Sequence, residues 1–328
     1  MPSQESEWGG VLQDIDEILI CFHMPAFFII SGLLYQRNVK KYEDRGKLRF
    51  LVDKIKHLLI PYVFWYVLLW AGVSAVSLLG DSVVNLLTGI GFAPMGVGEM
   101  LYGLFTYEVY YVEHLWFLYV LFLFFLVHCF IGNVGSNKVL VVVGIFMGLS
   151  TCVISYPNII TRFMIWFVFF TFGRCVERYD DVMERIKQSK WLIPLILFVV
   201  LAVVRILLFD MEPEINKYVL ALVRQIVKYA IGFLGVMLLY MAARYLNRIK
   251  NGITALVKTI GDYSYDIYLM HNPYFLALSA TVLYSFLGLN AVLTIVIAVI
   301  LGISIPMIVS KFIIRRSKIL SFVMIGKG

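Results

Sequence analysis

His23 is the residue in this sequence best suited to acid–base chemistry. It stands in an apolar run over residues 18–35, ILICFHMPAFFIISGLLY, which also holds Pro25 and a Ser31-Gly32 pair. An imidazole in such a run needs a partner or water, and an ionisable group inside an apolar span is a functional candidate by default. A packed histidine bonded to a neighbouring helix explains it as well. As a base, histidine titrates close enough to neutrality to take a proton from a hydroxyl. Pro25 has no N–H, so it frees the carbonyl of Cys21 and is expected to kink the helix. Ser31 is two turns beyond His23, about 12 Å along a helix axis. A direct nucleophile–base pair is thereby excluded. Phe27, Phe28, Ser31 and Gly32 share the same helix, where the small residues allow close helix approach or shape a channel.

Bases follow at once. Residues 37–56 carry Arg37, Lys40, Lys41, Arg45, Lys47, Arg49, Lys54 and Lys56, with His57 next. Arg49, Lys54, Lys56 and His57 lead into Leu58-Leu59-Ile60-Pro61-Tyr62, at the mouth of a second apolar run. Cations there bind phosphate groups well; ordinary basic flanking of a membrane span accounts for them too. Arg224 and Lys228 are four apart on one face of a later run and are expected to pair with acids or line a wet cavity. Arg162 and Arg205 lie nearer run ends, where they can snorkel. Asp262 and Asp266 suit the N-terminal dipole of a late helix, and His271 shares the face of Asp266 only loosely. P-loop, Rossmann, HExxH, nucleophile-elbow and zinc spacings are absent. Cys21, Cys129, Cys152 and Cys175 show no CxxC, so neither a disulfide framework nor a metal site is indicated.

The elements that must position these residues are membrane helices. Hydrophobic residues are 61% and charged residues 15%, against roughly 25% charged in a soluble domain. Apolar runs recur along the chain, each long enough to cross a hydrocarbon core of about 30 Å. Backbone groups in lipid must be satisfied within the segment, which makes the runs helices; the alternation of a barrel is missing. The expected class is all-α: a polytopic membrane bundle, one domain over 1–328, with nine spans at 17–36, 58–79, 115–132, 138–156, 160–176, 191–209, 219–243, 263–287 and 290–312. Lys and Arg concentrate after the first, fifth, seventh and ninth of these. The intervening loops, among them a long one over 80–114, are acidic or neutral, Lys217 being the main exception. The positive-inside rule then puts the N-terminus outside and the C-terminus in the cytoplasm, with 80–114 an extracytoplasmic loop. The net charge of +7 is spent on topology and anionic lipid rather than on nucleic acid. The start, MPSQESEWGG, reads as no signal peptide.

Four stretches in order resemble the membrane-bound acyltransferase 3 family. FHMPAFFIISG over 22–32 is similar to the family's FHMPxFFxxSG. FLVDKIKHLLIPY over 50–62 is similar to its basic FLxRRxxRLxxPY, HLWFLY over 114–119, with Trp116, to its LWFL stretch, and IGDYSYDIYLMHNP over 260–273 to its IGxxSxxIYLxHxP. The resemblance implies a family pattern of ten spans and transfer of an acyl group, usually acetyl, from cytoplasmic acyl-coenzyme A. The acceptor is a hydroxyl of a cell-envelope or secreted glycan, and the setting is the plasma (inner) membrane. No metal is implied. The family's RxxR pair appears here as Lys54 and His57. Its first helix, with an arginine or lysine and then a histidine, has no counterpart, which is the expected source of nine spans instead of ten.

On this reading His23 is the base. Arg49, Lys54, Lys56 and His57 hold the donor phosphates, and Phe27, Phe28, Ser31, Gly32, Trp116, Arg224, Lys228, Asp266 and His271 line or support the acyl path. The alternatives are a non-catalytic relative acting in polysaccharide export, with Arg224 and Lys228 along a passage for an anionic glycan, and a truncated inactive form. Dependence on an acyl donor separates them.

Overall fold

The computed structural model describes residues 7–89, 92–106, 114–132, 138–176, 190–210, 216–249 and 251–327. Among these the chain is all-helical, a polytopic bundle. Five helical stretches are long and apolar enough to cross a membrane: Asp14–Arg37, Lys47–Ser77, Asn158–Val176, Lys217–Arg248 and Ala291–Arg316. Trp116–Ile131, Lys138–Ser150 and Leu192–Leu208 are shorter apolar helices. The basic residues Arg178, Arg185, Lys187 and Lys250, and residues 107–113 of the long loop, lie outside the described residues. What is described of that loop forms two short helices, Asp81–Gly89 and Val97–Thr106. Each has an acid in its first turn, where the helix dipole favours negative charge.

Three departures from the sequence reading have physical causes. The first helix, α1 (Glu7–Arg37), starts well before the apolar run, because its polar lead-in holds no proline. The basic stretch after it, read as a loop, is helical: α2 (Val39–Arg45) and α3 (Lys47–Lys54). Gly46 separates them at φ 86°, a conformation costly for any residue with a Cβ. α3 then runs through a π-helical turn, Ile55–Leu59, into α4 (Ile60–Ser77). The span expected at 263–287 is broken into Ser264–Met270, a π turn His271–Phe275, Leu276–Thr281 and a π turn Val282–Phe286. Pro273 is the reason: a residue preceding proline is pushed out of the α region, and Asn272 sits at φ −124°, ψ 138°.

The chain divides into two compact units. One comprises Gln4–Lys47 with Leu126–Thr254. In it α1 packs along Asn158–Val176 and Lys217–Arg248, and Leu192–Asp210 packs along Lys217–Arg248. The α1 contact is backbone on backbone. A Cβ added to Gly32 would stand 3.0 Å from the carbonyl carbon of Phe170, and one added to Gly173 would stand 2.8 Å from that of Ile29. Small residues facing each other let two membrane helices approach this closely. Beside that contact the fully buried Arg174 donates to the Gln36 side chain at 3.1 and 3.2 Å and to the Gly132 carbonyl at 3.0 Å. Its guanidinium also lies 4.9 Å from the centre of the Tyr35 ring.

The other unit comprises Leu48–Phe125 with Ala255–Gly328. Its helices cross-brace through side chain to backbone bonds. Tyr62 donates to the Leu104 carbonyl at 2.7 Å, Tyr274 to that of Trp65 at 2.9 Å, and Trp65 to that of Met324 at 2.9 Å. Buried Tyr and Trp supply apolar bulk with one polar end that must find a partner.

Candidate functional site

The candidate residues fall into the two units. His23, Phe27, Phe28, Ser31, Gly32, Arg224 and Lys228 belong to the first; Arg49, Lys54, Lys56, His57, Trp116, Asp266 and His271 belong to the second.

His23 is half-buried on α1. Its Nδ1 lies 2.6 Å from the Leu19 carbonyl, one turn back. A carbonyl only accepts, so Nδ1 carries the hydrogen and the lone pair is on Nε2, the arrangement a general base requires. Phe28 is fully buried and tilted against Trp166, with ring centroids 5.9 Å apart, whereas Phe27 is exposed. Gly32 is taken up by the contact with Phe170, so its role is helix packing; Ser31 beside it is half-buried.

Arg224 and Lys228 both reach groups on other helices. Arg224 donates from Nε and Nη2 to the Leu208 carbonyl at 2.8 and 2.5 Å. That carbonyl lies in the last turn of Leu192–Asp210, where the helix itself supplies no donor. Lys228 stands 4.5 Å over the Trp166 ring, a cation–π placement. Arg205, expected to snorkel, instead pairs with Glu17 of α1 at 2.7 Å. Residue types and run positions held the signal for Glu17 and Arg174, since each is a charge at the edge of an apolar run, but nothing in the spacing names their partners.

In the second unit the cationic candidates share one bent helix. Arg49, Lys56 and His57 are exposed. Lys54 is half-buried, its ammonium 4.1 Å from the centre of Phe125 and 5.4 Å from that of Phe50. These aromatic faces hold the lysine stem in one place and attract its cationic head. His57 Nδ1 donates to the Asp53 carbonyl at 2.6 Å, so a phosphate is met by Nε2–H of the protonated ring. The His57 carbonyl accepts from the Tyr265 hydroxyl at 2.6 Å. Pro61, four residues on, has no N–H to offer that carbonyl, and the Tyr265 bond serves it. Four groups able to bond phosphate thus project from residues 49–57, a little over two turns of helix.

Asp266 is fully buried. It accepts from Ser310 and from Arg315, whose Nε and Nη2 are 2.8 and 2.7 Å away, and Lys327 stands 3.9 Å off. Asp266 therefore serves the C-terminal segment rather than His271. The Nδ1 of His271 donates to the Tyr268 carbonyl at 2.8 Å. Its ring packs edge-on against His114 with centroids 5.2 Å apart, and the Tyr268 hydroxyl bonds the His114 carbonyl. Burial, with the His271 ring next, pushes His114 down to about 3 and keeps it neutral. His114 was visible in HLWFLY, but the sequence offered no clue that it faces His271. Trp116 is buried, with its ring edge-on to Phe117.

The family model described as an acyltransferase domain covers residues 2–311. Among the curated proteins and among the solved structures nothing matches the chain.

Proposed function

The chain belongs to the acyltransferase 3 family, and from that premise we propose that it moves an acyl group, acetyl by the family's habit, from cytoplasmic acyl-coenzyme A to a hydroxyl of an extracytoplasmic polysaccharide or glycan. The observation that carries the donor half is the cationic turn at the mouth of Lys47–Ser77. Arg49, Lys56 and His57 are open there, and Lys54 is braced over Phe125. Coenzyme A presents a pyrophosphate and a ribose phosphate, and clustered cations at a helix mouth meet such groups with charge-assisted bonds. Lysine offers a point charge here, without the two-pronged fit of arginine.

In the acceptor half His23 is the base. Its Nε2 takes the proton of the acceptor hydroxyl as that oxygen attacks the thioester carbonyl. The C–S bond breaks, the ester forms, and the protonated His23 gives its proton to the departing thiolate, so that coenzyme A leaves as the thiol. Phe27 and Ser31 border the acyl path on the same helix, and Trp116, His271, Arg224 and Lys228 support it. Nine spans, an outside N-terminus, a cytoplasmic C-terminus and an extracytoplasmic 80–114 complete the reading. It rests on the alternation of basic with acidic or neutral loops and keeps the donor turn on the cytoplasmic side.

Kinetics test the donor assignment. Lys54→Ala is expected to raise the KM for acetyl-coenzyme A about tenfold, the worth of one charged contact, with kcat little changed. Wild-type KM in that variant would remove Lys54 from the donor site.

A further inference from the structure

The family match ends at residue 311, yet the segment after it is seated on the donor turn. Ile314–Arg316 forms a short 3-10 turn and Lys318–Ile325 a helix, ending at Gly326 with φ 64°. The N–H of Gly326 bonds the Phe322 carbonyl at 3.1 Å and that of Lys327 the Ser321 carbonyl at 3.0 Å, a left-handed cap that glycine adopts without cost. The cap lies against the backbone of the π turn. A Cβ at position 326 would stand 2.6 Å from Cα of His57, 2.8 Å from the Lys56 carbonyl oxygen and 2.9 Å from that of His57. All of these are backbone atoms, so nothing can swing aside.

Independent anchors hold the segment there. Trp65, on the helix that continues the π turn, donates to the Met324 carbonyl at 2.9 Å. Arg315 is bound by the buried Asp266 and donates to the Asp262 carbonyl at 3.0 Å, and its guanidinium lies 4.1 Å from the centre of the Tyr263 ring. The Tyr265 hydroxyl also bonds the His57 carbonyl. The Lys56–His57 peptide is thus fixed by a hydroxyl from one helix and by a glycine cap from the C-terminal segment.

We propose that the C-terminal segment is a positioning element for donor recognition: the close seat of Gly326 on Lys56 and His57 sets the backbone from which the phosphate-binding cations project. This rests on the donor reading above. It assigns Gly326, Trp65, Asp266 and Arg315 to affinity for the donor and not to the chemical step, because none of them reaches the reacting atoms except through the turn.

The test measures equilibrium binding of acetyl-coenzyme A, turnover and thermal unfolding for the full chain in lipid nanodiscs. Wild type is compared with Gly326→Ala, Trp65→Phe and Lys54→Ala. Gly326→Ala is expected to raise both Kd and KM about tenfold with kcat within about twofold. Trp65→Phe moves them the same way by less. A lower kcat with unchanged KM in Gly326→Ala overturns the proposal, and so does wild-type affinity in that variant while Lys54→Ala binds weakly. Wild-type affinity in Lys54→Ala removes the donor reading, and the positioning role falls with it. If Gly326→Ala does not fold, a wild-type Kd in Trp65→Phe overturns the proposal and a raised one supports it.

Discussion

An alanine at position 23 is expected to cut acyl transfer by about 10²–10⁴-fold at saturating donor, the usual worth of a general base, while protein yield and unfolding temperature stay at wild-type values. The two halves of that expectation come from different observations. His23 is half-buried, and its bond to the Leu19 carbonyl one turn back is local. Deleting it costs the fold about 1 kcal/mol, which a bundle held by the Gly32 and Gly173 contacts absorbs. The loss of rate comes from the tautomer. With Nδ1 tied to a carbonyl, Nε2 is the nitrogen that accepts the hydroxyl proton, and alanine offers nothing in its place. Glutamine keeps much of the bulk and a local hydrogen bond but cannot act as a base at neutral pH, so His23→Gln should be as slow as alanine. Initial rates at saturating acetyl-coenzyme A, normalised to folded protein, give the comparison. Near wild-type turnover in both variants would move the base elsewhere.

Valine at position 32 is expected to act in the opposite way, on folding first and on rate only through it. Overpacking costs typically about 1–3 kcal/mol where side chains can yield. At Gly32 the obstacle is the Phe170 carbonyl and the Arg174 N–H, 3.0 Å and 3.2 Å from where the Cβ would sit. Backbone cannot take another rotamer, so the helices must part, and the cost should reach about 3 kcal/mol or more. Parting them also disturbs Arg174, whose guanidinium depends on Gln36 of α1 for two bonds. Gly32→Val should therefore give little detergent-stable protein. Gly72→Val is the control, because a Cβ there meets nothing within 4 Å. Thermal unfolding of the two variants side by side checks the pair; equal unfolding temperatures would show that the helix contact is not the one described.

Much of this fold could be read from residue order, because a lipid-crossing helix announces itself by a long apolar run and needs no tertiary partner to satisfy its backbone. The stretches that escaped reading depend on such partners. Residues 38–54 looked like a loop by their charge, yet they are helical, their apolar residues having a face to cover: Phe50 is buried against Phe125. Pro273 was in plain view, but the extent of the break it causes is set by the π turns beside it. Within the site, the residue types of His23 and of the Lys54–His57 cluster were legible as chemistry, and Gly32 as packing. What could not be read was who answers whom. Arg224 meets a helix-end carbonyl, Lys228 an indole ring, Arg205 a glutamate on α1, and Asp266 a serine and an arginine more than forty residues on. Sequence spacing describes neighbours on one helix, and each of these pairs joins two.

Acyl transfer across an oriented membrane tests the central claim most directly. Inverted vesicles carrying the chain expose the donor side outward, and acetyl-coenzyme A labelled in the acetyl group can be added there with the glycan acceptor enclosed. The account predicts ester-linked label on the enclosed glycan, in proportion to the protein and competed by unlabelled acetyl-coenzyme A. Glycan that stays unlabelled, in vesicles where the chain is shown to be folded and the acceptor present, would contradict it.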